Sequence, residues 1–201
     1  MHLMKPNMSS VLLAVAVPVC LAIFWLVSTS RAATETPEYK VIRADEKFEI
    51  RDYPALTIAT TPMNDDGMNG GFRQLFRFIS GKNETAEKIE MTAPVLISAA
   101  NEKKTMSFIM PRKALEKGVP MPTGVSVVLG KMDAARFAVL RFGGSRTAEN
   151  EKAAVAKLTA WLETQKLTGK GTPTFAYYDP PWRPVFMRRN EVMIRIGNHR
   201  E

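Results

Sequence analysis

The 201-residue sequence predicts an α+β fold in which a strand-pair, helix, strand-pair unit occurs twice. Placed side by side, the two copies form one antiparallel sheet or open barrel with two main helices packed outside. Three observations predict it. Apolar and polar side chains alternate with period two at Phe48, Glu49, Ile50 and Arg51 and again from Thr105 to Met110, as strands with one buried face require. Two other stretches carry helical spacing: Phe72, Leu75, Phe76 and Ile79 at i, i+3, i+4 and i+7, and Ala154, Val155, Leu158, Trp161 and Leu162. Those helical stretches start about 79 positions apart, at Gly70 and Glu149, each between strand candidates, which is the order an internal duplication leaves.

The chain opens on a targeting segment. Residues 1–10 carry Lys5 and the α-amino group, and Val11 to Val27 is then a run of 17 uncharged, mostly apolar residues broken only by Pro18 and Cys20. That length sits at the lower limit of the ~17–25 residues that span a bilayer and slightly exceeds a usual signal-peptide core. Ser30 and Ala32 offer a small-x-small cleavage site, so residues 1–33 are expected to be a signal peptide or an N-terminal membrane anchor. With the cationic side N-terminal, everything after Ser28 is expected outside the cytoplasm, either periplasmic or anchored in the inner membrane and facing the periplasm. Cys20, the one cysteine, lies inside the run after Val17-Pro18-Val19 and reads as a small apolar residue.

Residues 34–38 are a polar linker and 39–201 the folded domain. Strands are expected over Tyr39 to Arg43, Phe48 to Tyr53 and Leu56 to Thr61, then a loop over Pro62 to Asn69 rich in Asn, Asp and Gly. The helix string Gly71 to Asn83 places Arg73 and Arg77 one turn apart off the apolar stripe and has Gly81 as its C-cap candidate. Lys88 to Ser98 reads as a strand beginning or bulging at Pro94, whose ring removes a ladder donor. Thr105 to Met110 is a strand stopped by Pro111, and Arg112 to Gly124, with Gly118, Pro120 and Pro122, connects the halves. The second unit has strands Val125 to Met132 and Arg136 to Phe142 joined by a tight turn at Asp133, then a helix from Ala148 to Lys166 with Thr147 as N-cap and Glu149 in its first turn. Thr174 to Tyr178 and Glu191 to Ile196 close it.

The net charge is +8, from 28 Lys+Arg against 20 Asp+Glu, which favours anionic partners in general. No block of Lys/Arg is longer than two, and no zinc-finger, RNP or Gly-rich phosphate string occurs, so nucleic acid is not an expected partner. His2 and His199 are the only histidines, and no Ser/His/Asp set, Cys/His cluster or H-E-x-x-H can be assembled. A non-enzymatic protein is expected, and a monomer.

The helix string, MTAPV at Met91 to Val95, FIMP at Phe108 to Pro111 and YYDPPWRPVFMRRNEV at Tyr177 to Val192 occur in that order. Together they make the chain resemble the SOUL haem-binding protein family over Tyr39 to Ile196. The resemblance implies an α+β fold with pseudo-twofold symmetry and tetrapyrrole binding in a surface cleft beside the first helix. Carried over residue by residue, the cleft is lined by Phe72, Leu75 and Phe76, with Arg183 of the DPPWRP string as a partner for a propionate. A further basic position of some relatives falls near Asn69, so one cation fewer is expected. Haem or another tetrapyrrole is the expected ligand, held without a strong axial ligand; Met91, Tyr53 and Tyr177 are the remaining axial candidates and the metal ligand set stays open. Arg188 and Arg189 with Glu191 read as structural. The implied role is a transient haem carrier or buffer, touching membrane through the N-terminal segment if that is uncleaved. Two other readings stay open: a stand-alone effector-binding module of the GyrI type for another amphipathic molecule, and a tetrapyrrole-modifying enzyme.

Overall fold

A computed structural model describes residues 34–63, 67–100, 103–124 and 126–197, so the targeting segment, His2 and His199 lie outside the described residues. Thr36–Glu201 is a compact unit. The strands are β1 (Lys40–Asp45), β2 (Phe48–Tyr53), β3 (Leu56–Pro62), β4 (Val95–Ala100), β5 (Lys103–Ile109), β6 (Val128–Met132), β7 (Ala135–Phe142), β8 (Gly169–Tyr177) and β9 (Asn190–Ile196). The helices are α1 (Gly67–Ile79), a short α2 (Arg112–Lys117) and α3 (Ala148–Thr164). All nine strands form one antiparallel sheet in the order β1-β2-β7-β9-β8-β4-β5-β3-β6.

The pseudo-twofold runs between β8 and β4. On one side β3, α1, β4 and β5 repeat the order of β7, α3, β8 and β9 on the other. The expected tight turn at Asp133 does not make a hairpin, because β6 pairs with β3 (Leu56↔Met132 to Thr60↔Val128) while β7 pairs with β2 (Phe48↔Leu140 to Tyr53↔Ala135). A two-residue hairpin asks for left-handed backbone at its centre. Pro54-Ala55 and Asp133-Ala134 both lack it, whereas Glu46 in the true β1–β2 hairpin has φ 51°. Each link therefore carries the chain across to the other half, and β3 and β7 become interior strands whose Ala59, Ala138 and Val139 are fully buried.

Both sheet faces are covered. On the helix-bearing face α3 packs Ala154, Leu158, Trp161 and Leu162 on Ile50, Leu140, Val192 and Ile194. On the same face α1 packs Leu75, Phe78 and Ile79 on Ala59, Met106 and Phe108. The opposite face gathers Tyr53, Leu96, Ile109, Phe137, Val139, Ala176 and Met193, and Met132 of the edge strand β6 joins Tyr53 of β2 there, so the sheet curls over this side. Alternation along β7 shows the division: Phe137 and Val139 face one way, Ala138 and Leu140 the other. Thr147 caps α3 by accepting from the Asn150 N–H at 3.3 Å, as its position foretold.

Candidate functional site

Helix α1 begins at Gly67, ahead of the expected start at Gly70 or Gly71, and both of those glycines are part of its buried face. A Cβ on Gly71 would stand 3.3 Å from Met63 Cγ and 3.5 Å from Met106 Cβ, so glycine lets the first turn lie close to β5. That approach sorts the apolar stripe. Leu75, Phe78 and Ile79 face the sheet, and Leu75, expected among the residues that line the cleft, is fully buried there. Phe72 and Phe76, one turn apart on the helix margin, stay 40% and 49% exposed. Their rings stack 5.8 Å apart at 15°, and Phe72 also meets Phe108 edge-on at 5.4 Å. Gly81, φ +110°, follows the helix end as expected, and Asn83 behind it donates to Phe78 O and Glu87 O.

Between α1 and α3 the sheet surface is made by β4 and β8. Val95 pairs with both Phe108 and Tyr177, so the strand floor connects the aromatic edge of α1 to Tyr177. Tyr177 donates its hydroxyl to the Glu151 carboxylate of α3, and the Arg146 guanidinium lies 4.2 Å from the ring centroid. Burial and the Glu151 carboxylate push the Tyr177 phenol well above its ordinary range, so this axial candidate is a buried, protonated donor. Tyr53 lies on the opposite sheet face, and burial pushes its phenol up to about 12. Met91 is half-buried against the α1 cluster.

The loop from Tyr178 to Arg189 is tied down by its own polar groups. Asp179 accepts the Arg189 backbone N–H and sits 3.3 Å from the Arg183 guanidinium, whose Nε donates to Met187 O at 3.2 Å. Arg188 donates to Arg183 O at 2.8 Å and to Pro181 O, and Arg146 donates to Asp179 O at 2.6 Å. Arg183 is thus folded into its loop beside a carboxylate, not extended as a free cation. The same scaffold leaves Trp182 and Phe186 83% and 86% exposed. Sequence reasoning passed over these two; the available signal was a pair of aromatics in a proline-rich loop without strand or helix period.

Below the sheet lies a buried ion cluster. Arg51 donates to both oxygens of Glu191, at 2.7 and 3.1 Å, and Arg189 donates to Glu191 Oε1 at 2.6 and 2.8 Å. Tyr178 donates to Glu191 at 3.1 Å, and Arg51 also holds Glu49 at 2.6 Å. Burial alone would raise the Glu191 carboxyl, but Arg51 and Arg189 outweigh it and keep it below the ordinary carboxylate range. The pairing of Arg189 with Glu191 is the structural role expected. Among the described residues no three His, Cys, Asp or Glu side chains gather where they could hold a metal.

Residues 34–195 match a family model described as SOUL heme-binding protein. The chain is similar to heme-binding protein 1 of Xenopus laevis and of Xenopus tropicalis, each 24% identical over 178 residues covering 82% of this chain and 93% of the relative. It is also similar to the solved EcmrR C-terminal domain, with 9% identity, a TM-score of 0.56 and coverage of 79% and 98% of the two chains. A hydrolase from Listeria innocua matches with 10% identity, a TM-score of 0.54 and coverage of 78% and 94%. At such identities the two solved structures speak for the fold alone.

Proposed function

The chain belongs to the SOUL haem-binding protein family, and on that premise we propose that it binds haem or a related tetrapyrrole without catalysing a reaction, as a transient carrier or buffer outside the cytoplasm. The observation that carries this reading is the stacked, half-exposed pair Phe72 and Phe76. Two near-parallel rings on a rigid helix offer a flat apolar ligand the stacking surface it prefers, and burying such surface contributes ~25 cal/mol per Å². The helix is fixed by Leu75, Phe78 and Ile79, so little ordering opposes binding.

The cationic side of the site differs from the expectation. Arg183 is occupied by Asp179, whereas Arg77 is exposed on α1 next to Phe76 and takes the role of propionate partner. When bound, the tetrapyrrole supplies the redox and gas-binding chemistry of its metal; the residues here supply a face and a charge. A ligand held mainly by contact at an open edge leaves readily, which suits transfer. Export rests on Lys5 followed by the apolar run Val11 to Val27.

The effector-module reading shares this fold but has a different electrostatic need. A lipophilic cation requires an unneutralised carboxylate, and Glu191, the one fully buried glutamate among the described residues, is saturated by two arginines. Titrating the soluble unit from Thr34 with hemin and, in parallel, with tetraphenylphosphonium distinguishes the readings. Saturable spectral change with hemin and none with the cation is expected; the opposite pattern assigns the chain to the effector-module reading.

A further inference from the structure

A separate cleft of about 810 Å³ opens at the other end of the second half's strands, lined by Asp52, Tyr53, Ala135, Arg136, Lys170 and Arg195 among others. Lys170 of β8 and Arg195 of β9 are direct register partners across the antiparallel pair. Side chains so placed have Cβ atoms ~4.5–5.5 Å apart, and like charges there repel. Neither side chain has an ion-pair partner among the described residues. Asp52, the one carboxylate lining the cleft among the described residues, is held by Arg136 through two bonds of 2.7 and 2.8 Å. Among the described residues, two positive charges therefore face the cleft without a counter-charge.

Backbone and walls fit a ligand between them. The β8–β9 register shifts between Lys170 and Thr174, where Gly171 has φ +73°, so the bulge re-aims Lys170 at the strand end. Gly197 leaves room for that side chain, since a Cβ there would stand 3.3 Å from Lys170 Nζ. Tyr53, Ala134, Ala135 and Ile196 give the cleft an apolar wall. The volume lies in the range of small-molecule sites.

We propose that Lys170 and Arg195 form a binding site for a small organic dianion, a phosphate monoester or a dicarboxylate with an apolar body, distinct from the aromatic edge of α1. The charged group bridges the two cations and removes their repulsion, while the apolar body lies on Tyr53 and Ala135. Arg195 alternates in phase with Met193, on the sheet face opposite the one that α1 covers, so both ligands can be held together.

Calorimetric titration with phenyl phosphate, phthalate and the uncharged benzyl alcohol tests the site. Saturable binding of at least one dianion and none of the alcohol is expected, and the tighter dianion identifies the source chemistry. Lys170→Ala and Arg195→Ala should each weaken it by about tenfold or more without lowering Tm, since both side chains are exposed; Lys170→Gln serves if either truncation fails to fold. Hemin binding should be unchanged in these variants, and dianion binding unchanged in Phe72→Ala/Phe76→Ala. Absence of dianion binding, or equal affinity in the Lys170 and Arg195 variants, overturns the proposal and leaves the haem reading standing. Loss of hemin binding in the Lys170 and Arg195 variants would mean one shared site and would overturn the separation.

Discussion

Phe72 and Phe76 stack at 5.8 Å on the margin of α1, while Leu75, between them in sequence, is fully buried against the sheet. The helix thus divides one apolar stripe into a part that holds the fold and a part that does not. Phe78→Ala, at 1% exposure, should cost ~3–5 kcal/mol of folding stability. Phe72→Ala and Phe76→Ala should each cost under ~1.5 kcal/mol, because their outer faces already meet water. Denaturant midpoints of the three variants check the division.

Propionate capture is assigned to Arg77, and esterification probes it without touching the protein. Arg77→Ala should weaken hemin binding by about tenfold and leave hemin dimethyl ester unaffected. Arg183→Ala should alter both ligands equally, because the residue braces its loop against Asp179 and Met187. An effect of Arg183→Ala confined to the free acid would return the propionate role to Arg183.

The ion cluster predicts acid sensitivity. Burial opposes ionisation of Glu191, yet Arg51 and Arg189 hold its carboxyl below the unfolded value of ~4.3. Its stabilisation is fully present above that pH and is lost as pH falls through the lower, folded value. Glu191→Gln should cost ~3–5 kcal/mol near neutrality by taking the buried charged partner from Arg51 and leaving it only the half-buried Glu49, and should flatten the acid limb of the stability profile. Urea unfolding from pH 7 to pH 3 measures both effects.

Export is tested by topology. A reporter active only in the periplasm, fused after Arg43, should be active in cells, because Lys5 precedes the apolar run Val11 to Val27. A silent reporter in well-expressing cells contradicts it.

Much of the fold was legible because it is written in periodicity. The alternation of Phe48 to Arg51, the Thr147 cap and the doubled order around α1 and α3 are local signals, and the structure carries each. The exchange of β2 and β6 between halves was not legible, since a two-residue link such as Asp133-Ala134 reads as a turn until strand partners are known. At the site, the family resemblance pointed to α1, but spacing could not separate Leu75 from Phe76. Both lie on one stripe, and only the depth set by Gly70 and Gly71 decides which is covered. Arg183 illustrates the same limit, because its partner Asp179 is an ordinary loop residue in sequence.

Neither histidine is needed by a contact-held ligand. Deleting residues 198–201, which removes His199, should leave the hemin-induced Soret shift intact. Its loss would make the C-terminal tail a ligand arm.

The most direct test of the aromatic-edge site is an absorbance titration of the unit from Thr34 with hemin, wild type against Phe72→Ala/Phe76→Ala. Saturable binding at one equivalent is expected for the wild type. The double variant should bind at least about tenfold more weakly, with Tm lowered by no more than a few degrees. Equal hemin affinity in the two proteins would contradict the assignment of the tetrapyrrole to α1.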